Sequence, residues 1–358
     1  MNAKDILRRA KRIGVVRTDK LGDMVLTLPM LRAIRDYNPE AEIHIIASSY
    51  TEFLLQGQTL IHSYHFIDKT DGGIKSILKS QKFDVLFFPR PRPEEVLPAF
   101  LQRVPLRVGS GYRFYSFLYN HRVFEHRKTA EKSEAQYNLD LVNSITGRNA
   151  KYELLAPIIS DDALSKIDAL TEAIGKYIIL HPGGGGSAPK WSKENFAQLS
   201  LMLSSQEFSQ EVSKGFSKEV SQNNSSKKIE SSKEINNQRY SVIITGVDYE
   251  QEICDYIAKE NPAVINMCNK LNLSETAALL QKAECLIVNA TGILHIAASL
   301  GTKIVALHPS NQALSPVRWG HHNKNNVNLI SKKIEGAEDE AELNINIEDV
   351  YKSIISLL

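Results

Sequence analysis

Short apolar runs alternate with amphipathic segments in both halves of this chain, and that alternation constrains the fold more than any other feature. Arg12–Arg17 (RIGVVR), Ile43–Ala47 and Asp84–Phe88 read as buried strands bounded by polar residues. Helical spacing runs over Gly22–Tyr37 and Ile74–Ser80 between them. The second half repeats the scheme, with strands predicted at Tyr177–Leu180, Ser241–Ile244, Cys285–Val288 and Lys303–Leu307. Its helical segments are Lys193–Leu203, Tyr249–Lys259, Ser274–Ala283 and Leu294–Leu300. Such alternation means parallel sheets with helices on both faces. The expected fold class is α/β: two Rossmann-like, doubly wound domains facing a cleft. The predicted division is 1–155 and 156–358, joined near Gly147–Asp161, with a helix at the C-terminal end.

One stretch breaks the scheme. Residues 204–239 hold ten serines, with Lys, Glu, Asn and Gln filling most of the rest. The stretch also repeats itself, FSQEVSKG at Phe208–Gly215 being followed by FSKEVSQN at Phe216–Asn223. So little apolar content cannot build a core, so a disordered, low-complexity insertion is expected, a docking amphipathic helix being the alternative.

Composition narrows the class further. At 358 residues and 42% hydrophobic, the chain is neither collagen-like, nor coiled-coil, nor wholly disordered. No apolar run approaches the roughly 20 residues of a spanning helix. The start, MNAKDILRRAKRIGVV, has too short an apolar run for a signal peptide. Three cysteines without CxxC spacing suit a reducing cytoplasm and argue against a disulfide framework or a zinc site. The net charge of +2 hides an asymmetry: residues 1–150 carry 23 Lys+Arg against 16 Asp+Glu, or +7, leaving −5 for the rest. A basic first half fits an anionic partner, although chance and solubility explain it equally.

Four motifs join strand ends to helix starts, where ligands of open α/β sheets bind. The first is Gly22-Asp23 with Thr27-Leu28-Pro29; Asp23 in a first helical turn reads either as a dipole-stabilising carboxylate or as a functional one. The second, His181-Pro182-Gly183-Gly184-Gly185-Gly186-Ser187 with Lys190-Trp191, offers backbone N–H groups and a cation to a phosphate. Its formal G-x-G-x-x-A spacing is interrupted by Pro189 and lacks the acidic partner of a dinucleotide site. The third is Gly246 with Glu250, a ribose acceptor or a plain cap; the fourth is Asn289-Ala290-Thr291-Gly292 with His295, a diphosphate seat or a packed histidine.

In this order the motifs resemble glycosyltransferase family 9, the ADP-heptose:lipopolysaccharide heptosyltransferases. The first looks like the family's GD-x-x-x-TLP signature, the second its HPG…KRW-type loop, the third its G-x-x-x-E element and the fourth its D-T-G-x-x-H signature. The resemblance implies a GT-B architecture and a single inverting displacement without a metal or cofactor. It implies Asp23 as general base, taking the acceptor proton as the oxygen attacks. Gly183, Gly184, Ser187, Lys190, Gly246, Glu250, Leu271, Thr291, Gly292 and His295 would bind the ADP-sugar donor, the basic groups stabilising the departing diphosphate.

Ala290 departs from the family pattern, which has Asp before Thr-Gly. It leaves open a different nucleotide-sugar donor, or a weakened enzyme that only binds sugar nucleotides; Asn289 could replace part of the lost hydrogen bonding. A nicotinamide oxidoreductase is the remaining alternative. On the acceptor side, Arg90, Arg92, Arg127, Lys128 and Lys132 are candidates for carboxylates or phosphates of a lipopolysaccharide inner core. Arg8, Arg9, Lys11 and Arg12 could face the cytoplasmic surface of an anionic inner membrane. No nucleic-acid partner is expected.

Overall fold

Among the described residues, twelve strands form two parallel sheets of six. A computed structural model describes residues 1–185, 188–223, 239–333 and 342–358. The first sheet holds β1 (Arg12–Val16), β2 (Glu42–Ala47), β3 (Ser63–Phe66), β4 (Val85–Phe87), β5 (Leu106–Ser110) and β6 (His121–Val123). The second holds β7 (Tyr177–His181), β8 (Ser241–Ile244), β9 (Ile265–Asn266), β10 (Cys285–Asn289), β11 (Ile304–His308) and β12 (Asn326–Ile330). The first runs β3-β2-β1-β4-β5-β6, and the second β9-β8-β7-β10-β11-β12. Both are the doubly wound Rossmann order, whose direction reverses between β1 and β4 and between β7 and β10. Registers such as Val15↔Ile45 and Leu180↔Ile287 align the buried central runs.

The chain divides into two units, Met1–Ile158 with Val317–Trp319, and Ile159–Pro316 with Gly320–Leu358. The return of Val317–Trp319 to the first unit has no signal in the strand pattern. In the first unit, Val16, Ile46, Leu86 and Phe88 pack with Ile77, Val96 and Tyr119. In the second, Ile178, Leu180, Ile244, Ile287 and Val305 pack with Trp191, Phe196 and the final helix Ile347–Leu357 through Val350 and Ile354.

All seven predicted strands are present. Four of the five that the apolar pattern missed, β3, β6, β9 and β12, are the sheet edges, where one flank has no neighbour and no continuous apolar run is needed. The helix expected over Gly22–Tyr37 is two helices, Leu21–Val25 and Pro29–Tyr37. Pro29 lacks the N–H that would continue the first, and opens the second at its N-terminus, where that donor is not required.

The expected disorder of the insertion is corrected over its first half. Gln206–Asn223 is a helix. Phe208 and Val212 are buried in the second unit's core, Phe208 with its ring 5.4 Å from Tyr240. Tyr351 donates to Glu211 at 3.2 Å. Two apolar residues four apart, Phe208 and Val212, lie on one face and dock the first part of this helix. Residues 224–238 lie outside the described residues.

Candidate active site

In the second unit, the loop after β7 and the helix start after β10 flank the point where strand order reverses, the position at which such sheets bind ligands. Asn289, the last residue of β10, fixes that loop. Its Nδ2 donates to Pro182 O at 2.8 Å and Gly183 O at 3.3 Å, and its Oδ1 accepts from Trp191 N at 3.1 Å. Both ends of the loop between β7 and Trp191 are thereby tied to one buried amide. Asn289 is therefore committed to the loop, which corrects the reading that it could replace the missing aspartate at position 290.

Lys190 is set by the same scaffold. It bridges Glu342 in parallel, its carbonyl accepts from Leu343 N at 3.0 Å, and the next side chain, Trp191, donates to Ile345 O at 2.9 Å. Glycine is required at position 183, and positions 184 and 246 leave little room for a side chain. A Cβ on Gly183 would stand 1.9 Å from the Glu250 carboxyl carbon, and one on Gly184 would stand 3.1 Å from Thr291 Cγ2 and 3.4 Å from Lys190 Cε. A Cβ on Gly246 would stand 3.3 Å from Glu250 Oε2. The fold thus assembles Gly183, Gly184, Lys190, Gly246, Glu250 and Thr291 from three separate loops.

Glu250 is 3% exposed and its Oε2 accepts from Val247 N at 2.9 Å. It caps its own turn while lying against the glycine loop, so the two sequence readings are not exclusive. Thr291 caps the helix Gly292–Leu300 in extended conformation without a side-chain cap bond. Its buried Oγ1 has no hydrogen-bond partner among the described residues. The helix N-terminus leaves N–H groups directed outward, with glycine and lysine beside them, an arrangement that suits an anion.

His295 is not at the surface of this cluster. It is 5% exposed and its Nδ1 lies 2.8 Å from His321 Nε2. Burial, then His321 and His308, hold it well below the ordinary histidine range, so it is neutral and packed. Leu271 is half-buried just before the Asn272 cap of the helix Leu273–Lys282. Ser187 lies outside the described residues.

In the first unit, the loop after β1 concentrates charge. Asp23, in the short helix Leu21–Val25, pairs with Arg17 Nη2, and Arg17 Nε stands 2.6 Å from Asp19. The Arg17 side chain is only 3% exposed. Asp23 is not an ordinary capping group. Burial lifts its carboxyl above the usual aspartate range, Arg17 opposes, and Asp19 and Glu134 reinforce the rise. One guanidinium shared among three carboxylates cannot fully offset desolvation. A raised carboxylate is a stronger base, as proton abstraction requires.

Several neighbours escaped the sequence reading. Glu134, 4% exposed by side chain, pairs with Arg127 at 2.5 Å and with Arg318 at 2.8 Å. Glu95 accepts from Thr18 Oγ1, and burial pushes it up to about 7. Asp19 lay in the motif loop, but Glu134 and Arg318 are 184 residues apart and carry no local signal.

The predicted acceptor cations have different fates. Arg127 is engaged by Glu134, by Asn138 at 3.0 Å and by Tyr137 O at 3.3 Å, so its expected availability to an acceptor is corrected. Lys132 pairs with Glu125 and, at 2.8 Å, with Asp140. Arg92 pairs with Glu94 at 3.1 Å and Arg90 stands 3.4 Å from Asp19, while Lys128 is exposed. Arg12 is held by Glu42 at 2.7 Å, and Arg8, Arg9 and Lys11 are exposed.

Two Rossmann sheets of one strand order, with a glycine loop beside a helix start on the second and a charged loop on the first, define an α/β protein of the GT-B fold. Known structures agree on that fold. A family 9 glycosyltransferase of Veillonella parvula superposes with a TM-score of 0.76 at 18% identity, covering 97% of both chains. The Escherichia coli ADP-heptose lipopolysaccharide heptosyltransferase II gives 0.69 at 17% identity over 97% of this chain and 98% of its own. Escherichia coli heptosyltransferase WaaC, solved with ADP, gives 0.64 at 12% identity over 96% of each. In sequence, the model of glycosyltransferase family 9 (heptosyltransferase) matches residues 229–346. A Haemophilus influenzae protein provisionally named a glycosyltransferase is 26% identical, over 97% of this chain and 96% of its own. The resemblance to glycosyltransferase family 9 therefore holds in sequence and in fold.

Proposed function

We propose that the protein is an inverting glycosyltransferase that moves a heptose from ADP-heptose to a lipopolysaccharide inner-core acceptor. The observation that carries this reading is the convergence of Gly183, Gly184, Lys190, Glu250 and Thr291 at the start of the helix Gly292–Leu300. Structural relatives described as binding ADP or an ADP-linked fluoroheptose support an adenine nucleotide donor.

In this reading Asp23 accepts the acceptor hydroxyl proton as that oxygen bonds to the anomeric carbon. The bond from that carbon to the diphosphate oxygen breaks, and ADP leaves with its electron pair. Lys190 and the backbone N–H groups stabilise the charge that develops on it, in the role a metal ion fills elsewhere. Glu250 receives the ribose hydroxyls. Among the described residues no helix is long and apolar enough to cross a membrane. The exposed Arg8, Arg9 and Lys11 instead support peripheral contact with an anionic cytoplasmic leaflet.

Ala290 favours one second reading, a different nucleotide sugar, because it puts a methyl group where the family pattern has a carboxylate. The test is turnover of purified protein with ADP-, GDP- and UDP-sugars on inner-core acceptors. ADP release that depends on ADP-heptose and acceptor is expected. Turnover with another nucleotide sugar alone would replace the donor, and binding without turnover would remove the enzymatic reading.

A further inference from the structure

At the opposite end of β1 from the Asp23 loop, four side chains from the β2–β3 edge converge. Glu42 and His44 are two apart on β2 and so share one face of the sheet. His62 precedes β3, its backbone N–H bonding Ile43 O at 2.8 Å, and His65 lies within β3. His44 Nε2 stands 3.7 Å from Glu42 Oε2, and His62 Nε2 stands 3.9 Å from Glu42 Oε1. One donor atom each from Glu42, His44 and His62 lie within 4.8 Å of one another.

The orientation of His44 is the telling detail. Its ring is 3% exposed and its Nδ1 lies 2.9 Å from His65 Nε2. Its Nε2 is buried and has no hydrogen-bond partner among the described residues. An N–H at Nε2 would meet Glu42 Oε2 only at 3.7 Å, too long for a hydrogen bond, whereas an N–H at Nδ1 finds His65 as acceptor at 2.9 Å. The second tautomer leaves a lone pair at Nε2 directed at Glu42 and His62. A ligating histidine held by a bond from its other ring nitrogen is the usual arrangement at metal centres.

We propose that Glu42, His44 and His62 form a binding site for a divalent first-row transition metal ion, with His65 positioning His44. Two imidazoles and one carboxylate suit zinc among such ions, and hard cations poorly. A tetrahedral zinc with bonds of about 2.1 Å holds its donors about 3.4 Å apart, so sub-ångström to one-ångström shifts would close the shell. Arg12 stays on Glu42 Oε2, and Oε1 faces His62. The ion joins β2 to the chain entering the edge strand β3. It is independent of the transfer reaction.

Full-length protein, stripped with a chelator and dialysed, is titrated with zinc chloride by calorimetry and with cobalt(II) by visible absorption. One ion per chain is expected, with a tetrahedral cobalt spectrum and a melting temperature raised by zinc. His62→Ala, at a 54% exposed side chain, and Glu42→Gln are expected to abolish both while melting like the metal-free wild type. His65→Ala is expected to weaken binding about 10–100-fold. Absence of zinc binding in the wild type, or binding retained in His62→Ala, overturns the site.

Discussion

The carboxylate of Glu250 lies directly over Gly183, so that a methyl group there would stand 1.9 Å from the carboxyl carbon. One contact thus joins two motifs, 67 residues apart in the chain, into one wall of the site. Gly183→Ala forces Glu250 or the loop to move, at about 1–3 kcal/mol of overpacking. Affinity for ADP, read by calorimetry, is expected to fall at least tenfold while the fold persists by circular dichroism. Unchanged ADP affinity would detach this wall from the nucleotide.

Asp23→Asn keeps the shape of the side chain and removes the base. Turnover is expected to fall about 10²–10⁴-fold. ADP affinity should hold, because the residues proposed to contact the nucleotide all belong to the second unit. Initial rates and calorimetry on one preparation separate the two, and retained turnover would remove Asp23 from its role.

Glu134 stands among Arg17, Arg127 and Arg318. Burial pushes its carboxyl up, and the three guanidinium groups outweigh burial and bring it below the ordinary value of 4.5. Glu134→Gln leaves buried cations without their counter-charge, a loss of about 3 kcal/mol by urea unfolding at pH 7. A depressed folded pKa gives stability that is present above the unfolded value and lost as pH falls through the folded one. The gap between wild type and variant should therefore close in acid, and a gap independent of pH would contradict the assignment.

Glu95 behaves in the opposite sense. Burial raises it from 4.5 to about 7, with Oε2 lacking a partner among the described residues. The folded state binds the proton more tightly, so this stabilisation is full below about pH 4.5 and disappears as pH rises through about 7. Glu95→Gln retains an acceptor for Thr18 without the buried charge. Melting curves should show it more stable than wild type at pH 8 by about 1–3 kcal/mol and indistinguishable at pH 4.5.

Phe208 sits in the serine-rich insertion yet is fully buried. Phe208→Ala is expected to cost about 3–5 kcal/mol, as for a core aromatic, measured by chemical denaturation. A loss under 1 kcal/mol would mean that the helix Gln206–Asn223 does not dock in solution.

Much of the architecture is determined by sequence alone. Central strands such as β1, β7 and β10 are buried on both faces, and a continuous apolar run is the direct imprint of that environment. The strand-end motifs were equally legible, because backbone approach demands glycine and a strand end dictates where a loop begins. What sequence could not decide is which groups meet. Asn289 resembled a substitute for a missing acid, and only the fold shows all its hydrogen bonds turned to the glycine loop. Arg127 resembled a free cation, until the helix Glu134–Thr146 brought Glu134, Asn138 and the Tyr137 carbonyl to it, with Arg318 from far along the chain on the same Glu134. His44, His62 and His65 carried no cysteine signal and became a cluster only when β3 paired with β2. Local periodicity records burial, which each residue experiences by itself; ion pairs, tautomers and ligand sets depend on distances between residues that only tertiary packing fixes.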